Sequence, residues 1–177
     1  MLLFDEISQR LEARQPSPPL FPTDVYDADI SRRLLSPDEE LAAHPALRCG
    51  LLLWNDDLEA SHEIAQSLDN ATGAFWHAIM HRREGDGANA NYWWRRTGTH
   101  PAFADVLKAA QSTLKDQTEA AACAFAAKLT QSGAWNPIDF VAAVERTKRN
   151  GEDDEWLRRV QVAEMRALLT WCRANPD

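Results

Sequence analysis

Apolar residues recur at intervals of three and four along most of this chain, and almost no stretch alternates apolar with polar over a strand's length. A period near 3.6 gathers such positions on one face of a helix, whereas a half-buried strand needs a period of two. The spacing predicts helices over residues 4–14, 37–43, 46–54, 57–68, 73–84, 88–97, 101–114, 116–131, 137–149 and 153–174. Ala, Leu, Glu, Gln and Arg dominate, and all favour helix over strand.

The punctuation agrees with the period. Ser36-Pro37-Asp38-Glu39 reads as a helix start, with serine as N-cap, proline in the first turn and glutamate closing a capping box. Asn136-Pro137 repeats the cap-then-proline signal. Gly98, Gly133 and Gly151 fall where helices end and a left-handed residue is needed. Glu152, Asp153, Asp154 and Glu155 put negative charge at the positive end of the last helix dipole. Asp56-Asp57 and Asp153-Asp154 diverge by about 100° on a helix and cannot share one site, so they read as helix-start charges. Pro16, Pro18, Pro19 and Pro22 forbid regular structure, and Gln15 to Ser36 reads as an extended arm.

The expected fold is therefore all-α. Residues 1–36 are read as an N-terminal helix and an extended Pro-rich arm, and residues 37–177 as one domain of stacked helical hairpins. An echo supports the hairpins: Asp57 and Asp86, 29 residues apart, each open a helix and each precede a small residue by four, Ser61 and Ala90. Ala65 and Trp94 lie four further on. Small residues at such positions let helices approach closely, which is tetratricopeptide-like geometry without a true repeat. In the last helix Trp156, Val160, Ala163, Ala167 and Trp171 form a stripe that serves either the core or a homodimer face.

Composition narrows the function. The 177 residues are 45% hydrophobic and 26% charged, which argues against global disorder. A formal net charge of −8 disfavours nucleic-acid binding, which depends on Lys and Arg displacing counterions. The longest apolar run, Ala120 to Ala127, is far shorter than the ~20 residues that span a bilayer. Acidic residues stand where a signal peptide would carry a basic segment, so a cytoplasmic, membrane-free protein is expected. Cys49, Cys123 and Cys172 are odd in number and form no C-x-x-C pair, so each reads as a small apolar residue.

Candidate chemistry concentrates in residues 75–101, FWHAIMHRREGDGANANYWWRRTGTHP, with three of the five His and three of the seven Trp. The window His77 to His100 carries a net +2 in an acidic chain. On a helical wheel Phe75, Trp76 and Ile79 share an apolar face, while His77, His81 and Glu84 project together on the opposite side. Two imidazoles and a carboxylate at those spacings can meet one divalent ion, zinc, iron or manganese. His62, on the preceding helix, and His100, after the hairpin, can point into the same space. The same His residues can equally line a metal-free polar pocket or a hydrogen-bonded helix face. H-A-I-M-H lacks the glutamate of the H-E-x-x-H metalloproteases. Of Trp93 and Trp94 at least one is core, and Arg95 and Arg96 follow beside Tyr92, where an Arg next to an aromatic can cradle an anion. Gly85-Asp86-Gly87 is no phosphate loop, and Ser61 and Ser67 lie within a helix rather than on a nucleophile elbow.

The segments W-H-A-I-M-H-R-R-E and N-A-N-Y-W-W-R-R-T-G-T-H-P, with L-E-A-S-H-E-I-A-Q before and W-N-P-I-D-F-V after, resemble an uncharacterised bacterial protein family with some fungal relatives. No function is assigned to that family, so the resemblance implies no chemistry. The positions that match its pattern are His62, Trp76, His77, His81, Arg82, Arg83, Glu84, Asn89, Tyr92, Trp93, Arg95, Arg96, His100 and Pro101. Gly87 stands where the pattern has an aromatic residue and Asn91 where it has lysine, which removes a cation from any anion site.

The function expected from the residues is a binding module that holds a small polar or anionic ligand, or a partner segment, in a groove. His62, His77, His81, Arg82, Glu84, Tyr92, Arg95 and His100 would line it. One rival is a metal-dependent hydrolase or oxygenase with His77, His81 and Glu84 as ligands. Another is a scaffold that contacts a protein partner.

Overall fold

The computed structural model describes residues 2–37, 40–151 and 154–176. Among them are ten α-helices and one 3-10 turn, and no strand. The helices are α1 (Leu2–Glu12), α2 (Ala28–Leu35), α3 (Pro45–Trp54), α4 (Leu58–Ser67), α5 (Ala71–Glu84), α6 (Gly87–Thr97), α7 (Phe103–Leu114), α8 (Ala120–Ser132), α9 (Pro137–Asn150) and α10 (Glu155–Ala174). The 3-10 turn covers Glu40–Ala43. No helix among the described residues is long and apolar enough to cross a membrane.

Most of the expected helix ends hold, but Ser36, expected as an N-cap, instead closes α2 with its N–H bonded to Arg33 O, and only the 3-10 turn Glu40–Ala43 follows. Gly98, Gly133 and Gly151 cap α6, α8 and α9 with positive φ. The Asn136 side chain accepts from Ile138 N ahead of Pro137. Asp57 and Asp86 cap α4 and α6 through the amides of Ala60 and Asn89. Ser61 and Ala90 are buried, as close helix approach requires. Asp38 and Glu39 of the expected capping box, and Glu152 and Asp153 of the acidic cluster, lie outside the described residues.

Consecutive helices pack against one another from α3 to α6, and α10 lies across α7 and α3. The three innermost helices meet at Gly50 on α3. A Cβ there would lie 2.5 Å from the Trp76 ring of α5 and 2.7 Å from Leu169 of α10. Only hydrogen at that position lets the indole of Trp76 lie against the α3 backbone. On α5 every residue from Thr72 to Arg83 is buried, because α3, α4 and α6 all pack on it. Its polar side is thus an interior surface, not the outward face that a simple amphipathic wheel suggests.

The segment expected to be extended throughout departs from that reading. Ala28–Leu35 is helical, capped by Asp27, whose carboxylate accepts from the amides of Asp29 and Ile30. The prolines end at Pro22, and Ile30 and Leu34 then bury one helical face. Residues 13–27 carry no helix, yet they are fastened to the helices. Leu20 is buried, and the Pro19 carbonyl accepts from Arg83 Nη2 at 3.1 Å and Gln161 Nε2 at 3.2 Å.

Two further expectations are corrected. Asp56 is no helix-start charge: it is buried, and its carboxylate bridges Arg14 and Arg83. Its φ of 64° turns the chain so that Asp57, not Asp56, faces the α4 amides. Cys49 and Cys172 are buried as small apolar residues, but Cys123 is exposed, because the α8 face that carries it faces away from the helices that pack on α8.

Candidate metal centre

Three helices bring the site together. α4 carries His62, α5 carries His77 and His81 one turn apart, and α6 contributes Asn89 and Trp93, also one turn apart. Residues four apart on a helix stand on the same face, so each pair arrives as a unit once α4, α5 and α6 pack.

The three imidazoles form one cluster. One ring nitrogen from each of His62, His77 and His81 lies within 4.8 Å of the others. Ring centroids are 4.8 Å apart for His62 and His77, 5.3 Å for His62 and His81, and 5.7 Å for His77 and His81. Tetrahedral binding of a zinc ion by three nitrogens at about 2.05 Å needs separations of about 3.3 Å.

His77 is the centre of the arrangement. It is 1% exposed, and neither ring nitrogen has a hydrogen-bond partner among the described residues. Its ring lies flat on Trp93, centroids 3.9 Å apart. Burial, with smaller contributions from His62 and His81, pushes its pKa down to about 4. Burial, followed by His81, also lowers that of His62, against the opposing pull of Glu84 and Glu63. Both rings are therefore neutral near pH 7 and offer lone pairs, which is the state a metal requires.

Glu84 takes a different place from the one expected. Its Oε2 accepts from His81 Nδ1 at 2.9 Å, and it does not join the cluster of three nitrogens. A proton on Nδ1 would leave the lone pair of His81 Nε2 available to a metal. A carboxylate that orients a ligating histidine through its second nitrogen is a common support of metal centres. The three side chains that could hold a metal ion are thus His62, His77 and His81, with Glu84 bonded to His81. The spacing on one helix brings Glu84 near His81, but only the packing of α4 on α5 delivers His62.

The other expected groove residues divide. Arg82 is 1% exposed and turns into the core, where Nη2 meets Glu164 Oε2 at 2.6 Å and the guanidinium lies 4.5 Å from the Phe140 ring centroid. His100 is buried elsewhere: Nε2 lies 3.2 Å from Thr72 Oγ1, Nδ1 accepts from Ala102 N, and the ring packs on Phe75 and Trp171. It ties α5 to the start of α7. Tyr92 is half-exposed with its ring edge-on to Trp93, and Arg95 is exposed on α6.

Two polar neighbours were not among the expected site residues. Gln66 Nε2 is 3.4 Å from the His62 ring nitrogens, and Asn89 Nδ2 is 3.4 Å from His81 Nδ1. The signal for Gln66 was present in the sequence, since it follows His62 by four on one helix face. Of the tryptophans, Trp94 is core, while Trp93 is half-buried and forms the wall behind His77.

The site is thus a partly buried His- and Trp-rich cluster in a helical module, flanked by arginine, with the donors for a divalent ion. Comparison of the chain with protein-family models, with curated proteins and with solved structures found no match to any of them.

Proposed function

We propose that this protein is a divalent-metal-binding helical module, with the ion held by His62, His77 and His81 and the ring of His81 oriented by Glu84. The observation that carries the reading is His77: a buried imidazole, neither of its nitrogens hydrogen-bonded among the described residues, beside two other imidazoles. A buried polar group without a partner costs about 1–3 kcal/mol, and coordination removes that cost. Three neutral nitrogen donors suit zinc, iron and similar transition metals better than magnesium or calcium.

Three protein ligands leave a fourth position for water or a substrate, as catalytic rather than structural zinc sites do. An ion held by these three histidines would supply an activated water, so metal-dependent hydrolysis is the reaction class that fits. The stacked hairpins, of tetratricopeptide-like geometry, then serve to bring three short helices to one point.

Elemental analysis of untagged, desalted protein tests the reading. About one equivalent of zinc, iron or manganese, lost in His77→Ala, is the expected result. Protein that neither carries nor takes up metal on titration, while folded by circular dichroism, overturns it.

A further inference from the structure

A cavity of about 400 Å³ opens beside the histidine cluster, between the end of α4, the start of α5 and the last turns of α6. That volume is within the usual range for small-molecule sites. Ala65, Ala74 and Trp93 form an apolar floor, and Gln66, Asp69 and Arg96 stand exposed around it. Two of these residues also touch the cluster: Trp93 stacks on His77, and Gln66 lies against His62.

The two charges at this cavity are opposite in sign, yet they do not pair. The Asp69 carboxylate makes no hydrogen bond or ion pair among the described residues. Arg96 makes none either; its guanidinium lies 5.3 Å from the Trp93 ring centroid. A simple anion placed here gains Arg96 but meets the repulsion of Asp69, and a simple cation meets the reverse. A ligand that carries both charges satisfies both residues.

We propose that this cavity binds a free α-amino acid, its carboxylate on Arg96, its ammonium on Asp69 and its side chain over Ala65, Ala74 and Trp93. This names the substrate class of the metal centre and in that respect rests on the metal reading; as a ligand of the cavity the amino acid does not depend on it. Arg suits the carboxylate because its guanidinium matches a carboxylate edge with two parallel hydrogen bonds.

The test is ligand-observed NMR of the full chain with the free proteinogenic amino acids. Each is compared with its N-acetyl and carboxamide forms, and the parent with Arg96→Met and Asp69→Asn. Both substitutions are at exposed positions, and circular dichroism checks that the variants fold. The expected result is binding of at least one free amino acid, weakened about tenfold or more by either variant and by loss of either ligand charge. No binding to the parent, or equal binding by parent and variants, overturns the proposal. Visible absorption of Co²⁺ added to the same samples reports on the histidines separately. Cobalt uptake without amino-acid binding overturns this inference and retains the metal centre; amino-acid binding without cobalt uptake supports the ligand and overturns the metal centre.

Discussion

The imidazole of His77 lies flat on the indole of Trp93, with ring centroids 3.9 Å apart and planes within 7°. The contact joins α5 to α6 and sets the plane of the ring whose two nitrogens are buried without hydrogen bonds among the described residues. Trp93→Leu removes the stacking surface while keeping an apolar side chain. Thermal denaturation should show a loss of about 1–2 kcal/mol. Competition with a chromophoric chelator should show metal affinity reduced by about tenfold, since His77 loses its fixed orientation. Unchanged affinity would remove Trp93 from the support of the site.

Glu84 acts on the centre through His81, and its side chain is otherwise half-exposed. Glu84→Ala should therefore leave the metal-free melting temperature nearly unchanged and weaken metal binding by about 10–100-fold. Complete loss of binding, equal to that of His77→Ala, would instead place the carboxylate among the ligands themselves.

Arg82 and Glu164 form an ion pair that is closed off from water, with side-chain exposures of 1% and 0%. Arg82→Met alone should cost about 3–5 kcal/mol in urea denaturation, because it strands a buried carboxylate. Glu164→Leu should cost a comparable amount for the stranded guanidinium. The double variant should recover most of the loss, and metal binding should be unaffected in it. A strictly additive double loss would mean that the two side chains are not coupled.

Deletion of residues 1–35 removes Ile7, Leu11, Leu20, Ile30 and Leu34 from the core and one of the two arginines from Asp56. Burial of a side chain of that size is worth about 1.5–3 kcal/mol, so the sum is comparable to the whole stability of a typical domain. The truncated chain should lose its cooperative thermal transition. A sharp transition near that of the full chain would show that the N-terminal segment only decorates the helices.

The pH dependence follows from His77. Its pKa in the fold, about 4, lies below the ordinary value of 6.5, so the unfolded chain takes up the proton first as pH falls. The stability of metal-free protein should thus be unaffected by this group above about pH 6.5 and fall between there and about pH 4, by a total of about 3 kcal/mol. His62 and His100, also lowered chiefly by burial, act in the same direction. Denaturation in chelator at stepped pH should show the fall, and His77→Phe should make it shallower. A stability that rises on acidification through this window would contradict the neutral, buried His77.

Helix content and most helix ends were readable from local rules, because a cap or a period involves residues within four of one another. Asp57, Asp86, Asn136 and the glycines that end α6, α8 and α9 act on their own turn of helix, and they sit where their neighbours require. The α2 helix was hidden behind four prolines that in fact stop six residues before it. The pairing of His77 with His81 was likewise legible, being one turn of one helix.

Relations between elements were not legible. Whether α5 exposes its polar side depends on α4 and α6 covering it, and nothing in residues 71–84 states that. Arg82 and Arg83 are adjacent in a window of net positive charge. Packing aims one at Glu164 and the other at Asp56, partners 82 and 27 residues away. His62 reaches the centre only because α4 folds back on α5, and the same packing leaves Glu84 behind His81 rather than among the three nitrogens. Short-range hydrogen bonding and periodicity act along the chain and are written in its order; burial, and the choice of partner for each polar group, arise only when the helices meet.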